Sequence, residues 1–291
     1  MLALKHLQKQ VTAKSNQDIA SAANAVFVQR KMRLPRAYVK SYRKAFNSRP
    51  KQLFFQDSAK AASIINKWVE AQTRGMISSF LRPDLLDPLL TRMVLVNAIY
   101  FKGLWKMPFT PEETHHRTFY KADGTQIQVP MMSLITKLNF SEMVTARGMD
   151  YDVIELPYHG ETFSMFIVAP YRKTDALSAL TDIVTVQLVN EWKNSLTQGK
   201  RQLVLPKFSL ENEIDLRKPL ARMGIEDMFD SSKADFTKIS SKYLFIGRGG
   251  SAAIMYGRMA VEKVVIDRPF LFLVRHNPTG TILFMGQVME P

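Results

Sequence analysis

The β-prone, almost wholly apolar run Met93–Phe101 constrains the fold of this chain more than any other feature. Runs of this kind are typical of strands buried on both faces, so the sequence predicts a central strand here. Helical patterns dominate the residues before the run, and strand patterns dominate those after it. Because strands and helices do not alternate strictly, we expect an α+β fold and not a nucleotide-binding α/β fold.

Apolar spacing predicts several helices. The clearest is Ser58–Thr73, with Ser58 as its N-cap. Its core face is predicted to comprise Ile64, Ile65, Trp68 and Val69. Further helices are predicted at residues 1–14, within 31–46, at 184–194 and at 216–223, the last ended by Gly224.

Alternating and β-branched segments predict strands beyond Met93–Phe101. These lie at residues 22–28, 126–129, 138–144, 151–156, 163–169 and 201–206. Asp123-Gly124 and His159-Gly160 mark hairpin turns. A C-terminal hairpin is predicted from Pro269–Arg275, the turn Asn277–Gly280 and Thr281–Met285.

The net charge predicts a class of partner, and the absence of cysteine and of several motifs excludes some functions. The net charge of +14 predicts attraction to polyanions. The chain has no cysteine, which excludes thiol catalysis and cysteine–metal sites but leaves the cellular compartment open. No metal-binding, hydrolase or phosphate-loop motif is present, so we predict neither an enzyme nor a cofactor. No apolar run approaches the roughly 20 residues of a membrane helix, and the N-terminus lacks a signal-peptide pattern.

Four stretches resemble the serpin family. Val264–Val274 matches the family's C-terminal signature, and Asn277–Gly280 with Phe284–Gly286 follows it as in serpins. Val96–Trp105 matches the family's central-sheet strand and the breach region after it. Leu203–Phe208 together with Gly224–Phe229 fits a third pattern, and finer matches, including Ala25–Arg30 and Gly75–Ser78, point to the branch that inhibits plasminogen activators.

The resemblance implies one serpin domain over residues 1–291, partial in extent, with helices first, large mixed sheets and an exposed reactive-centre loop. It also implies a monomeric, extracellular serine-protease inhibitor that targets urokinase-type and tissue-type plasminogen activators. Tyr256–Ala260 aligns with the family's scissile region, which makes Arg258–Met259 the predicted bait bond. Arg258 suits the acidic pocket of a trypsin-like protease, and Arg248 is a weaker candidate.

The segment before the bait departs from the family. Phe236–Ser240 is the familiar lead-in, but only residues 241–257 separate it from Arg258. A strand and the small-residue hinge of the loop are therefore predicted to be missing, as are helices before Met1. This departure motivates the alternative of a non-inhibitory serpin variant or protease substrate. The net charge motivates a second alternative, a basic polyanion-binding protein.

Other partners are expected from charge and from the resemblance. Lys5, Lys9, Arg30, Lys31 and Arg33 are candidate ligands for heparin-like glycans, against the alternative of a merely solvated basic face. The resemblance suggests vitronectin as a partner near Ser58–Thr73 and the strand that follows. Asn139 begins an Asn-Phe-Ser glycosylation sequon. No recognition motif for nucleic acid is present, and we predict none as a partner.

Overall fold

The computed structural model describes residues 10–11, 13, 20–46, 48–75, 77–208, 221–222, 224, 226–227, 233 and 262–291. The chain divides into two compact units. Unit 1 comprises Met1–Lys102 and Glu211–Ala252, and unit 2 comprises Gly103–Leu210 and Ala253–Pro291. The predicted single domain over residues 1–291 stays a prediction.

Unit 1 contains a three-stranded sheet in the order β2-β1-β3. Its strands are β1 (Ala20–Gln29), β2 (Lys51–Leu53) and β3 (Met93–Phe101), with β1 parallel to β2 and antiparallel to β3. Two helices, α1 (Arg36–Phe46) and α2 (Ser58–Gln72), belong to the same unit. One face of the sheet packs on α2 and the other on α1, since alternate residues of a strand point to opposite faces.

Phe27 lies at the centre of the α2 side. It is fully buried and meets Trp68 edge to face, with ring centroids 5.7 Å apart. Ala61, Ile65 and Val69 of α2 pack into the same cluster. The neighbouring residues Val26 and Val28 instead contact Tyr42 of α1, and burial raises the pKa of Tyr42 to about 12.

The structure corrects three predictions in unit 1. The N-cap of α2 is Asp57, not Ser58, because the Asp57 carboxylate accepts a 3.0 Å hydrogen bond from the Lys60 amide. Ile64 is 41% exposed because the buried face of α2 is centred on Ala62, Ile65 and Val69, and one residue step turns Ile64 about 100° around the helix from Ile65. Third, β3 is not buried on both faces, because some of its described side chains are exposed.

The exposed part of β3 begins beyond Met93. Leu95 is 39% exposed, and the Asn97 amide lies at the surface, where it donates to Asn24 Oδ1 at 2.9 Å. The α1 cluster reaches Met93 but includes neither Leu95 nor Asn97, which explains the exposure.

Unit 2 contains an eight-stranded sheet in the order β11-β10-β7-β6-β5-β8-β9, with β4 also paired to β5. The strands are β4 (His115–Tyr120), β5 (Gln126–Val144), β6 (Asp150–Pro157), β7 (Phe163–Pro170), β8 (Thr197–Pro206), β9 (Glu262–Val265), β10 (Phe270–His276) and β11 (Thr281–Val288). Two helices, α3 (Ser178–Thr181) and α4 (Val186–Ser195), complete it. Within this unit the predicted C-terminal hairpin is confirmed as β10–β11.

Strand β5 joins two segments that the sequence predicts as separate strands. It stays extended over 19 residues because three neighbours bond to successive parts of it. Helix α4 begins at Val186, later than predicted, since Thr185 caps it by accepting a 3.1 Å bond from the Leu188 amide. The helices predicted at 1–14 and 216–223 lie almost wholly outside the described residues.

Replacing Phe27 by alanine tests the core of unit 1. Because Phe27 is fully buried, we expect Phe27→Ala to lower the free energy of unfolding by about 3–5 kcal/mol, measured by urea denaturation. Phe54, which is 53% exposed, provides a matched control, and Phe54→Ala is expected to stay within about 0.5 kcal/mol of the parent. Equal losses for the two variants would contradict this account of the core.

Candidate functional site

The predicted bait bond Arg258–Met259 lies outside the described residues, and the description resumes at Glu262. Strand β9 starts there and pairs in parallel with β8, from Arg201 opposite Glu262 to Val204 opposite Val265. The Ile266 amide continues the attachment with a 2.8 Å bond to the Val204 carbonyl. The C-terminal side of the bait segment is therefore fixed to the sheet of unit 2.

A buried arginine holds the chain directly after β9. Arg268 is 6% exposed, and its Nη1 donates to the Val265 carbonyl at 2.7 Å. Its Nε donates to the Pro170 carbonyl at the end of β7, and its Nη2 donates to Asp152 Oδ2 in β6 at 3.4 Å. One planar guanidinium thus joins the ends of β7 and β9 to β6, which the fork of an arginine can do and a lysine cannot.

The carboxylates around Arg268 differ in their surroundings. Burial raises the pKa of Asp152, and the attraction of Arg268 offsets this in part. Asp267 pairs with Lys173 at 2.7 Å, and the Lys173 ammonium lies 3.5 Å from the centre of the Tyr120 ring. The Tyr120 amide donates to the Asp267 carbonyl at 2.8 Å, so these contacts also attach β4 to the segment after β9.

The segment matched to the breach region packs on Tyr158. The rings of Trp105 and Tyr158 stack at a centroid distance of 4.7 Å, and a Cβ at Gly103 would overlap the Tyr158 ring. The His159 amide donates to the Leu104 carbonyl at 2.7 Å. Trp105 therefore fills core volume in unit 2, and glycine at position 103 permits this close approach.

Of the five candidate glycan ligands, Lys5 and Lys9 lie outside the described residues. Arg30, Lys31 and Arg33 are exposed at the end of β1 and in the turn after it. The structure brings Lys31 and Arg33 together with Arg49 around an open groove of about 720 Å³, and Arg30 is not part of its lining. Arg49 was not predicted, because the parallel pairing of β2 with β1 places it there and the sequence did not indicate that pairing.

Asn139, the sequon residue, lies within β5 between β6 and β8. Its Nδ2 donates to Glu155 Oε2 at 2.8 Å, and its Oδ1 accepts from Gln198 at 3.3 Å. Glu155 is almost fully buried and also binds Lys193 at 2.6 Å. A glycan on Nδ2 would replace one of its two hydrogens, and only the other could then donate to Glu155. Glycosylation of Asn139 stays a prediction.

A family model described as Serpin (serine protease inhibitor) matches residues 2–291. The chain belongs to the serpin family. Plasminogen activator inhibitor 1 of Sus scrofa is 47% identical over 99% of this chain and 76% of the relative. Glia-derived nexin of Homo sapiens is 40% identical, covering 99% and 77%. The predicted resemblance to the serpin branch of plasminogen activator inhibitors is confirmed.

Solved structures show the same fold. Native protease nexin-1 with heparin superposes with a TM-score of 0.89 at 41% identity, covering 99% of this serpin and 81% of that chain. Uncleaved ovalbumin gives 0.86 at 30% identity, covering 100% and 79%. The predicted α+β serpin fold is confirmed. No helix among the described residues of this serpin is long and apolar enough to cross a membrane.

The sequence did not reveal the structural role of Arg268. A charged residue set between Ile266 and Phe270, both fully buried, was the available signal. A charge in such an apolar setting must find fixed partners, because burying it unpaired is costly. Its partners on β6 and β7 are distant in sequence, so the signal could indicate burial but not the contacts.

Replacing Arg268 by methionine tests this attachment of the serpin chain. The change keeps most of the side-chain volume but leaves Asp152 and the Pro170 and Val265 carbonyls without the guanidinium. We expect Arg268→Met to lower the free energy of unfolding by about 3 kcal/mol, measured by urea denaturation followed by circular dichroism. The exposed Arg147 gives the control Arg147→Met, expected to change it by less than about 0.5 kcal/mol. A loss below about 1 kcal/mol for Arg268→Met would contradict the proposed attachment.

Proposed function

We propose that this serpin acts on trypsin-like proteases of the plasminogen-activator class, with Arg258–Met259 as the bond presented to them. The observation that carries the proposal is the 47% identity to plasminogen activator inhibitor 1 along almost the whole chain. The attachment of β9 supports it, because a substrate loop needs an anchored flank to present its bond in a fixed geometry.

The chemistry at the bait is acyl transfer. The serine hydroxyl of the protease attacks the Arg258 carbonyl carbon, and the general base of the protease takes the hydroxyl proton. The bond from Arg258 to the Met259 nitrogen then breaks, and the new amine leaves with a proton. The protease is left as an ester on Arg258, and Met259 becomes a new N-terminus still joined to β9.

Trapping requires more than acylation. In serpins the cleaved loop inserts as a strand, which needs a sufficient length of loop with small side chains. The short segment 241–257 motivates the second candidate, a serpin that is cleaved as a substrate without trapping.

Incubation with urokinase-type or tissue-type plasminogen activator distinguishes the two candidates. We expect a denaturing gel to show cleavage after Arg258, confirmed by mass spectrometry of the new N-terminus at Met259. A covalent complex that survives denaturation would show trapping and reject the substrate candidate. Arg258→Ala is expected to abolish either product, whereas Arg248→Ala is expected to leave it unchanged. Cleavage that persists in Arg258→Ala would contradict the assigned bond.

The basic groove favours a further function, binding of heparin-like glycans. Lys31, Arg33 and Arg49 converge on it, and a sulfated chain would release counterions from such a cluster. We also propose extracellular action and vitronectin binding near α2, both on the family resemblance. The groove supports the glycan proposal alone.

Salt-dependent elution from heparin tests the groove. We expect Lys31→Gln combined with Arg33→Gln to elute at lower salt and to reduce the slope of log affinity against log salt by about 2. Lys137→Gln combined with Arg147→Gln removes the same charge from exposed sites elsewhere and is expected to change the slope less. Equal effects of the two pairs, or stronger retention on DNA than on heparin, would contradict a glycan site at the groove.

A further inference from the structure

One end of the unit 1 sheet carries exposed apolar side chains that neither the bait bond nor the basic groove uses. Leu89 is 75% exposed, Leu90 is 55% exposed and Phe54 is 53% exposed. Exposed apolar residues scattered singly are common on protein surfaces, but a group of them in one place indicates a contact surface. The position of the three residues in the fold therefore decides whether they form such a group.

Backbone hydrogen bonds bring the two loops that carry these side chains to the same place. The Gln29 amide, at the end of β1, donates a 2.8 Å bond to the carbonyl of Arg92, the residue just before β3. The Arg30 amide donates a 2.6 Å bond to the carbonyl of Leu53, the last residue of β2. The residues after β1, those after β2 and those before β3 thus share one end of the sheet. We call this end the rim, and its exposed side chains include Arg30, Lys31, Phe54, Leu89 and Leu90.

Both loops of the rim are held by side chains. Asp87 Oδ1 accepts hydrogen bonds from the amides of Leu89 and Leu90 at 2.7 and 2.8 Å, so the two leucines lie on a fixed turn. In the other loop, the amide of Phe55 donates to Gln29 Oε1 at 3.0 Å. Loops that are already ordered lose little conformational entropy when a partner covers them, which favours binding.

Cations surround the apolar side chains of the rim. Residues 30–33, 54–57 and 87–92 contain four basic residues against two acidic ones, namely Arg30, Lys31, Arg33 and Arg92 against Asp57 and Asp87. Both carboxylates bond to backbone amides of their own loops. The basic groove, which begins at Lys31, adds Arg49 beside the rim. The partner of this surface must therefore offer both negative charge and an apolar region.

We propose that the rim of unit 1 docks on an anionic lipid surface. Phe54, Leu89 and Leu90 enter the boundary between headgroups and acyl chains, and the cations of the rim meet the headgroups. A lipid surface combines these two features, because its acidic headgroups cover hydrocarbon. A sulfated glycan could meet the cations but has no apolar region for the leucines. The contact is peripheral, and the proposal does not depend on the bait bond.

Flotation of the full chain with lipid vesicles tests the proposal. We expect binding to phosphatidylcholine vesicles that contain about 30% phosphatidylserine, and at least about tenfold weaker binding to phosphatidylcholine alone, because anionic lipid attracts basic residues at its surface. Leu89→Ser combined with Leu90→Ser is expected to weaken binding to the anionic vesicles by at least about tenfold, since two side chains lose their apolar contact. Val144→Ser combined with Val186→Ser removes unit 2 side chains that are 61% and 71% exposed, and is expected to leave the binding unchanged.

Elution from heparin separates lipid docking from the glycan proposal. We expect the double leucine variant to elute from heparin at the same salt concentration as the parent, because glycan binding depends on cations that the variant keeps. Circular dichroism of this variant is expected to match that of the parent. An equal loss of heparin binding and vesicle binding would show that the leucines act through the fold, and it would overturn the proposal.

Insertion of the leucine turn is measured with Leu89→Trp and with vesicles whose acyl chains are brominated. Bromine quenches tryptophan fluorescence at short range, so we expect more quenching in Leu89→Trp than in the parent. Val186→Trp is the control and is expected to add no quenching. The proposal is overturned if the parent does not float with the anionic vesicles, if the double leucine variant binds them as the parent does, or if Leu89→Trp adds no quenching. Failure with vesicles would leave the rim to a protein partner.

Discussion

The hydrogen bonds of the buried Arg268 guanidinium are the interactions on which the arrangement of unit 2 depends. A charge with so little exposure must be surrounded by fixed acceptors, and Arg268 finds them at Pro170, Asp152 and Val265. Pro170 ends β7, Asp152 lies in β6, and Val265 ends β9. Because β10 begins two residues later, the same group determines where the C-terminal hairpin enters the sheet. The last strands are thus positioned by a polar contact and stabilised by apolar packing.

Local sequence patterns predicted the helices and strands better than they predicted the burial and pairing of those elements. The apolar runs identified β3, β7 and β10, because a run of apolar, β-prone residues indicates a strand. The exposure of Leu95 depends on how far the α1 cluster extends along β3, and the continuity of β5 depends on three strands that bond to it. The cap at Asp57 shows the same limit on a smaller scale, since Asp57 and Ser58 both suit an N-cap and the backbone geometry decides between them.

Buried and exposed charges have separate roles in this serpin. Inside unit 2, Glu155 meets Lys193 and the Asn139 amide, and Asp152 meets Arg268, so these two buried carboxylates have cationic partners. In unit 1, the exposed cations Lys31, Arg33 and Arg49 instead line an open groove. Changes to these surface cations alter attraction to anions without disturbing the core.

The attachment of β9 limits where a protease could act on the proposed bait bond. Three residue steps separate Met259 from Glu262, and an extended chain advances at most about 3.6 Å per residue. The Met259 end of the proposed bait bond therefore stays within about 11 Å of the start of β9, whatever path the intervening residues take. A protease that cleaves there approaches the edge of the unit 2 sheet, and residues around Lys263 become its nearest neighbours. The few residues between Met259 and Glu262 keep the proposed bait bond close to β9.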